Sequence, residues 1–253
     1  MKKEMLFDVV VTTKVPMRIG GPDDPLSATQ NVVSRVGDRL VIPGSSLKGA
    51  FRAQLETFLI DQYYDSTAKQ WATGKETCKP CIPAAKPSAD EKRLAQTGRF
   101  KEGLCSYAER DASAEICPCC YLLGAMGMPG FIRVPFLYSD AAADDLYSAS
   151  LDRATGSVRR GTNFPYELVP EGVTFTGRLA VLTEDTVLGW CLGKPREFAN
   201  GRTQDAWLHK SNITSDKLIQ DYIVGRLSNI TLLGGYKSKG FGDVMVEVRE
   251  VTS

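Results

Sequence analysis

Seven cysteines, at positions 78, 81, 105, 117, 119, 120 and 191, are the residues most able to do chemistry in this 253-residue chain. Cys78-x-x-Cys81 and Cys117-x-x-Cys120 form two chelating pairs, and tetrahedral Zn²⁺ takes four such sulfurs. The gap between the pairs is longer than in a compact zinc ribbon, and it runs through a stretch that needs a brace. Cys119 is expected to point away, Cys105 is an alternative ligand, and Cys191 reads as an ordinary buried cysteine. Free thiols and a redox pair are the competing readings. A closed four-thiolate site has no open coordination position, so it is structural rather than catalytic. Clustering of this kind in a reducing cytosol argues for metal over disulfides.

A second chemistry is anion binding. The segment LLGGYKSKGFGDV (232–244) carries Gly234, Gly235, Gly240 and Gly242 with Lys237 and Lys239. Glycines allow backbone N–H groups to approach a ligand closely, and the lysines add charge, which suits a phosphate. The glycine spacing fits neither a P-loop nor a dinucleotide fingerprint, and no helix follows; a plain helix-to-strand turn is the competing reading. Upstream, PGSSLKGAFR (43–52) places Ser45, Ser46 and Lys48 at a helix start, with Arg52 one turn on. Helix N-termini attract anions, whereas simple capping by Ser45 or Ser46 is the plainer reading. The single His, His209, excludes a two-His metal site and reads as a surface or interface residue.

These residues need elements to hold them. Alternation over 5–13 predicts a central strand with both faces mostly apolar, and 39–42 a short second run. Leu47, Phe51, Leu55, Phe58 and Leu59 predict an amphipathic helix over 46–60. From 66 to 115 the pattern dissolves among prolines and glycines. Strands are expected at 131–138, 173–182 and 243–251, a loop over 140–165, and a second helix over 215–230. Without the insertions the order is strand, helix, strand, strand, helix, strand, so the fold class is α+β with a ferredoxin-like βαββαβ core. One domain, 1–253, is expected, with a cysteine-containing insertion at 66–125 and a further insertion at 140–166.

Composition is ordinarily globular, 43% hydrophobic and 24% charged, and 31 Lys+Arg against 30 Asp+Glu leave a net charge of +1. Any nucleic-acid face must therefore be local. No run of 18 apolar residues exists, which excludes a transmembrane helix. Glu4 and Asp8 break any signal-peptide core, so a cytoplasmic protein without membrane association is expected.

Taken in order, RIGG (18–21), IPGSSLKGAFR (42–52), CPCCYLLG (117–124), DRATG (152–156), FPYELVPEGVTFTG (164–177) and LLGGYKSKGFGDV (232–244) resemble the RAMP-superfamily backbone subunits of type III CRISPR effector complexes. The resemblance implies an RRM-related core and sequence-independent binding of the guide CRISPR RNA. It implies phosphate contacts from Arg18, Ser45, Ser46, Lys48, Arg52, Lys237 and Lys239. A thumb within 140–166, carrying Arg153, Arg159 and Arg160, would kink the guide–target RNA duplex. Implied partners are copies or paralogues in a filament, a large signalling subunit and small helical subunits. In such relatives one Asp in the loop after RIGG often cuts target RNA with Mg²⁺ or Mn²⁺. That register here falls at Thr29-Gln30-Asn31, which holds no carboxylate. Two readings stand: target cleavage through Asp23 or Asp24, or a scaffold that does not cut. A guide-processing endoribonuclease using His209 competes with both, as does a zinc-braced assembly subunit with little RNA affinity.

Overall fold

The computed structural model describes residues 1–21, 31–107, 115–150, 152–159, 164–196, 204–209, 211 and 213–251. Along these come β1 (Lys2–Thr13), β2 (Arg35–Val36), β3 (Arg39–Ile42), α1 (Gly44–Tyr63), β4 (Tyr64–Asp65), β5 (Gln70–Trp71), a 3₁₀ turn (Glu76–Cys78), α2 (Ala89–Gln96) and α3 (Pro118–Leu123). Then follow β6 (Ile132–Arg133), β7 (Leu137–Ser139), β8 (Asp144–Ser148), β9 (Phe164–Leu168), β10 (Thr174–Asp185), β11 (Trp190–Cys191), α4 (Ala206–His209), helical residues 215–228, a 3₁₀ turn (Lys237–Lys239) and β12 (Val244–Glu250).

The main sheet runs β12-β1-β10-β7-β3-β2, with β6 and β11 also on β10, and every pairing in it is antiparallel. β1 is central, as its pattern predicts, with Val9 opposite Gly177 on one side and Val248 on the other. Only one of its faces is buried, however. Phe7, Val9, Val11 and Thr13 turn inward, while Asp8 pairs with Arg178 at 2.9 Å on the half-exposed face. A charge pair across neighbouring strands is compatible with a solvated face and not with a second core.

Onto the inward face α1 lays Leu47, Phe51, Leu55 and Leu59, and the 215–228 helix lays Leu218, Ile219, Tyr222, Ile223 and Leu227, all within one core. Phe58 meets Tyr222 edge-on at 5.1 Å, which ties the two helices together. The second helix opens as Ser215–Lys217, capped by the Thr214 hydroxyl, and widens to a π-helix over Leu218–Val224. There the Gly225 N–H donates to Gln220, five residues back, a local geometry that periodicity does not announce.

Three further expectations change. The strand expected at 131–138 is broken into β6 and β7, with Pro135 between them, because proline cannot donate to a ladder. The loop expected over 140–165 includes a separate two-stranded hairpin, β8 with β9, in register from Asp144–Leu168 to Ser148–Phe164. The 66–115 stretch holds structure of its own: β4 pairs with β5, and α2 starts with a capping box between Ser88 and Glu91.

Candidate nucleic-acid groove and cysteine cluster

Helix α1 presents three different faces. One is the apolar stripe just described. A second is made of small residues: Ser45, Ser46, Gly49, Ala50 and Ala53 form the wall of a groove of about 440 Å³. The opposite wall comes from Arg18, Ile19 and Gly20 and from Leu232, Leu233, Gly234, Gly235 and Lys237. Three separated segments of sequence thus meet in one place, and the described lining carries two cations and two hydroxyls but no carboxylate.

The walls are locked by backbone geometry. The Gly235 N–H donates to the Arg18 carbonyl at 2.7 Å. Gly234 sits at φ +84°, and a Cβ there would fall 2.4 Å from that same carbonyl oxygen, so only glycine serves. Arg18 lays its guanidinium 5.0 Å from the Tyr236 ring centroid and donates from Nη2 to the Asn31 carbonyl at 3.0 Å. Its Nε is buried without a partner.

Helix α1 begins differently from the capping reading. Pro43 occupies the N-cap, and neither serine hydroxyl caps the helix. Ser45 is exposed and Ser46 half-buried, so both hydroxyls stay available to a ligand at the positive end of the helix. Lys237 and Lys239 are exposed in the short 3₁₀ turn that begins after Tyr236.

Tyr236 is the residue that sequence reasoning passed over. It takes a left-handed conformation, φ +58°, unusual for a bulky residue. Its ring lies 4.5 Å from Lys239 Nζ and 5.0 Å from Arg18, and it meets Tyr166 and Phe241 edge-on. Tyr236 therefore organises one cation of the groove, Arg18, and a second beside it, Lys239. The signal was an aromatic residue inside GGYKSKG, a motif read for its glycines and lysines alone.

The third face of α1 carries Lys48 and Arg52, and these leave the groove. Lys48 lines a separate cavity of about 500 Å³ with Cys81, Cys105, Cys120, Met126 and Met128. Arg52 turns into the cysteine cluster. It pairs with Glu56 at 2.7 Å, donates to the Cys81 carbonyl at 2.8 Å, and points N–H groups at the Cys81 and Cys120 sulfurs at 3.3 and 3.5 Å. Neither side chain lines the groove that Ser45 and Ser46 line. At about 100° per residue, positions 48 and 52 lie roughly 110° from the middle of the face made by 45, 46, 49, 50 and 53, with Ser45 at the edge between the two.

The cluster itself gathers Cys81, Cys105, Cys117 and Cys120, all buried, with sulfurs within 4.8 Å of one another. Cys78 is not among them; it is buried in the preceding 3₁₀ turn, and Cys105 takes the expected place. Zn–S bonds of ~2.3 Å put tetrahedral sulfurs about 3.8 Å apart. The Cys81–Cys120 separation of 3.4 Å and the 4.8 Å limit bracket that value, so the donor set fits a metal ion such as zinc.

Electrostatics agree with that fit. Burial opposes ionisation of Cys117, yet thiol donation from Cys105, Cys119, Cys120 and Cys81 holds it well below the ordinary thiol range. Arg52 is driven above its usual value: burial works against its charge, and the sulfurs of Cys119, Cys120 and Cys117 outweigh it. Burial pushes the Glu56 carboxyl up to about 7 despite Arg52. A divalent metal held by four thiolates would make a buried dianion there, and Arg52 would be its counter-charge. The N–H···S contacts do what outer-shell partners do for metal ligands.

Arg153 and Arg159 are exposed between β8 and β9, where Arg159 pairs with Asp152 at 3.6 Å. Arg160, Asp23 and Asp24 lie outside the described residues. The flanks of the 22–30 segment are described: the Gly21 N–H donates to the Val32 carbonyl, and Gly20 bridges Val33. His209 is exposed at the end of α4. No helix among the described residues is long and apolar enough to cross a membrane.

The described residues thus combine an antiparallel α+β sheet, a cationic groove whose described lining has no carboxylate, and a four-cysteine cluster that could hold a metal ion. The chain belongs to the RAMP superfamily, whose family model matches residues 10–244. Membership points to CRISPR-associated RNA binding within a complex. No curated protein matches the chain.

Proposed function

We propose that this protein is a guide-RNA-binding backbone subunit of a type III CRISPR effector complex. The observation that carries the reading is the groove: Arg18, Ser45, Ser46 and Lys237, from three segments, line one concave wall free of carboxylates. Phosphates of a guide strand lie along it, met by Ser45 and Ser46 at the start of α1 and by Lys237 and Lys239 from the glycine-rich turn. Backbone contacts position the RNA without reading its sequence. The order β12-β1-β10-β7, antiparallel throughout, with α1 after the first strand and the 215–228 helix after the third, supports a ferredoxin-like, RRM-related core. The β8–β9 hairpin, with Arg153 and Arg159 exposed, is the thumb that meets the guide–target duplex, and the cysteine cluster holds structural Zn²⁺ in the 66–125 insertion. Copies or paralogues of the chain extend the groove as a filament, alongside a large signalling subunit and small helical subunits.

The test is the salt dependence of RNA affinity. Each phosphate contact removed lowers the slope of log K against log salt by about 0.7 on single-stranded RNA. Lys237→Ala and Lys239→Ala should each lower it by about that amount, and Lys48→Ala should leave it unchanged. Equal slopes for all three would refute the groove as the binding surface. Target cutting by the guide-loaded complex with Mg²⁺ or Mn²⁺, compared with Asp23→Ala and Asp24→Ala, separates a cutting subunit from a scaffold.

A further inference from the structure

At the other end of α1, roughly 30 Å from Ser45 by helix rise, lies a second cleft of about 750 Å³ between the helix end and the β4–β5 hairpin. Its size is within the ~300–1,000 Å³ range of ligand sites. It is lined by Gln62, Tyr63, Asp65, Lys69, Glu76 and Lys79, among others. Tyr64 and Trp71 form its buried floor and spend their own polar atoms inside, on the Thr97 and Gly98 carbonyls.

The wall itself balances, Lys69 and Lys79 against Asp65 and Glu76, but the sequence segment that supplies it is basic. Residues 66–101 hold eight Lys or Arg against three Asp or Glu, in a chain whose totals nearly balance. Arg99 lies over the Tyr64 ring at 5.8 Å, on the far side of the same floor. Among the described residues, neither Lys69, Lys79 nor Arg99 is in an ion pair with a carboxylate. Lys69 is fully displayed at the hairpin tip in a left-handed conformation, φ +54°.

We propose that this cleft is a second RNA site, taking one or two nucleotides of a single strand distinct from the one in the groove. Lys69 and Lys79 meet its phosphates, a base takes the place of the Lys75 ammonium that lies 5.3 Å from the half-exposed Tyr63 ring centroid and stacks there, and the Gln62 and Gln70 amides reach a base edge. The mixed sign of the wall favours a nucleotide over an acidic peptide. Asp65 and Glu76 repel carboxylates; Asp65 spends Oδ1 on the Thr67 and Ala68 N–H groups, and its other oxygen can accept from a base N–H or a ribose hydroxyl.

The experiment uses the full chain and a 4-thiouridine-containing oligouridylate of roughly six nucleotides. Its affinity is measured against salt in the Lys237→Glu background, and photo-crosslinks are mapped. Residual binding should remain there, with crosslinks in 62–79. Adding Lys69→Glu with Lys79→Glu should lower that affinity at least tenfold and remove those crosslinks. Tyr63→Leu should lower it about tenfold through lost stacking. All three side chains are exposed or half-exposed, and a melting curve confirms folding. Unchanged affinity and crosslinking in the Lys69→Glu, Lys79→Glu chain would overturn the proposal. So would polyglutamate competing for the cleft while RNA does not, which would mark an acidic protein partner. The groove reading fails separately, if Lys237→Glu alone leaves RNA affinity unchanged.

Discussion

Replacing Cys105 and Cys78 in turn decides whether the cysteine cluster is a metal centre built as the structure has it. Structural zinc in small domains binds with an apparent ~10–16 kcal/mol at neutral pH, comparable to the ~5–15 kcal/mol that holds a whole domain folded. One of four equivalent sulfurs then carries on the order of 3–4 kcal/mol. Cys105→Ala should weaken the metal by two to three decades, since each ~1.4 kcal/mol is tenfold. Cys78 lies outside the cluster, only 2% exposed, and burial pushes its thiol up to about 11, away from the thiolate that a metal needs. Cys78→Ala should retain one metal per chain and cost only the ~0.5–1.5 kcal/mol typical of a small core truncation. The assay is metal stoichiometry after gel filtration, followed by competition with a chromogenic chelator. Loss of metal in Cys78→Ala with retention in Cys105→Ala would refute the assignment.

Two more outcomes follow from buried charge. Arg196 and Asp205 form a fully buried pair at 2.7 Å, with Arg196 also enclosed by Tyr121, Trp190 and Phe131. Asp205→Ala leaves that guanidinium uncompensated and should cost about 3–5 kcal/mol, whereas the double change Arg196→Met with Asp205→Leu should cost less; thermal unfolding of the three chains checks this. Metal binding requires deprotonated sulfurs, so acidification returns protons to the cluster and releases the ion. Metal content should therefore fall as pH drops below neutrality, and Arg52→Met, which removes the counter-charge, should move that release to higher pH.

Much of this was legible in the residues. Hydrophobic alternation placed β1, β10 and β12, and the 3.6-residue period placed α1, because one buried face imposes a period that shows in a single sequence. The convergence of Arg18, Ser45, Ser46 and Lys237 was foreshadowed by glycines and cations in three segments. What escaped depends on three-dimensional direction. Lys48 and Arg52 lie beside Ser45 on α1 but at the edge of the small-residue face, and charge alone does not say which neighbour a cation meets. Cys105 replaced Cys78 because ligand choice follows where the insertion folds back, which C-x-x-C spacing does not encode. The β8–β9 hairpin was missed since its strands lie off the main sheet and β8 is exposed from Asp144 to Tyr147, so burial imposes no alternation on it. The helix after Ser88 also escaped, although the Ser88–Glu91 spacing of a capping box marks its start.

The central claim is that the small-residue face of α1 is the floor of an RNA groove, and Gly49→Leu tests it most directly. A Cβ at Gly49 meets nothing within 4 Å, so the new side chain projects into the groove without disturbing the core. Replacing a helical glycine should also raise helix stability by up to ~1 kcal/mol. Measured together, guide-RNA affinity should fall at least tenfold while the melting temperature holds or rises. Wild-type affinity in a folded Gly49→Leu chain would contradict the account.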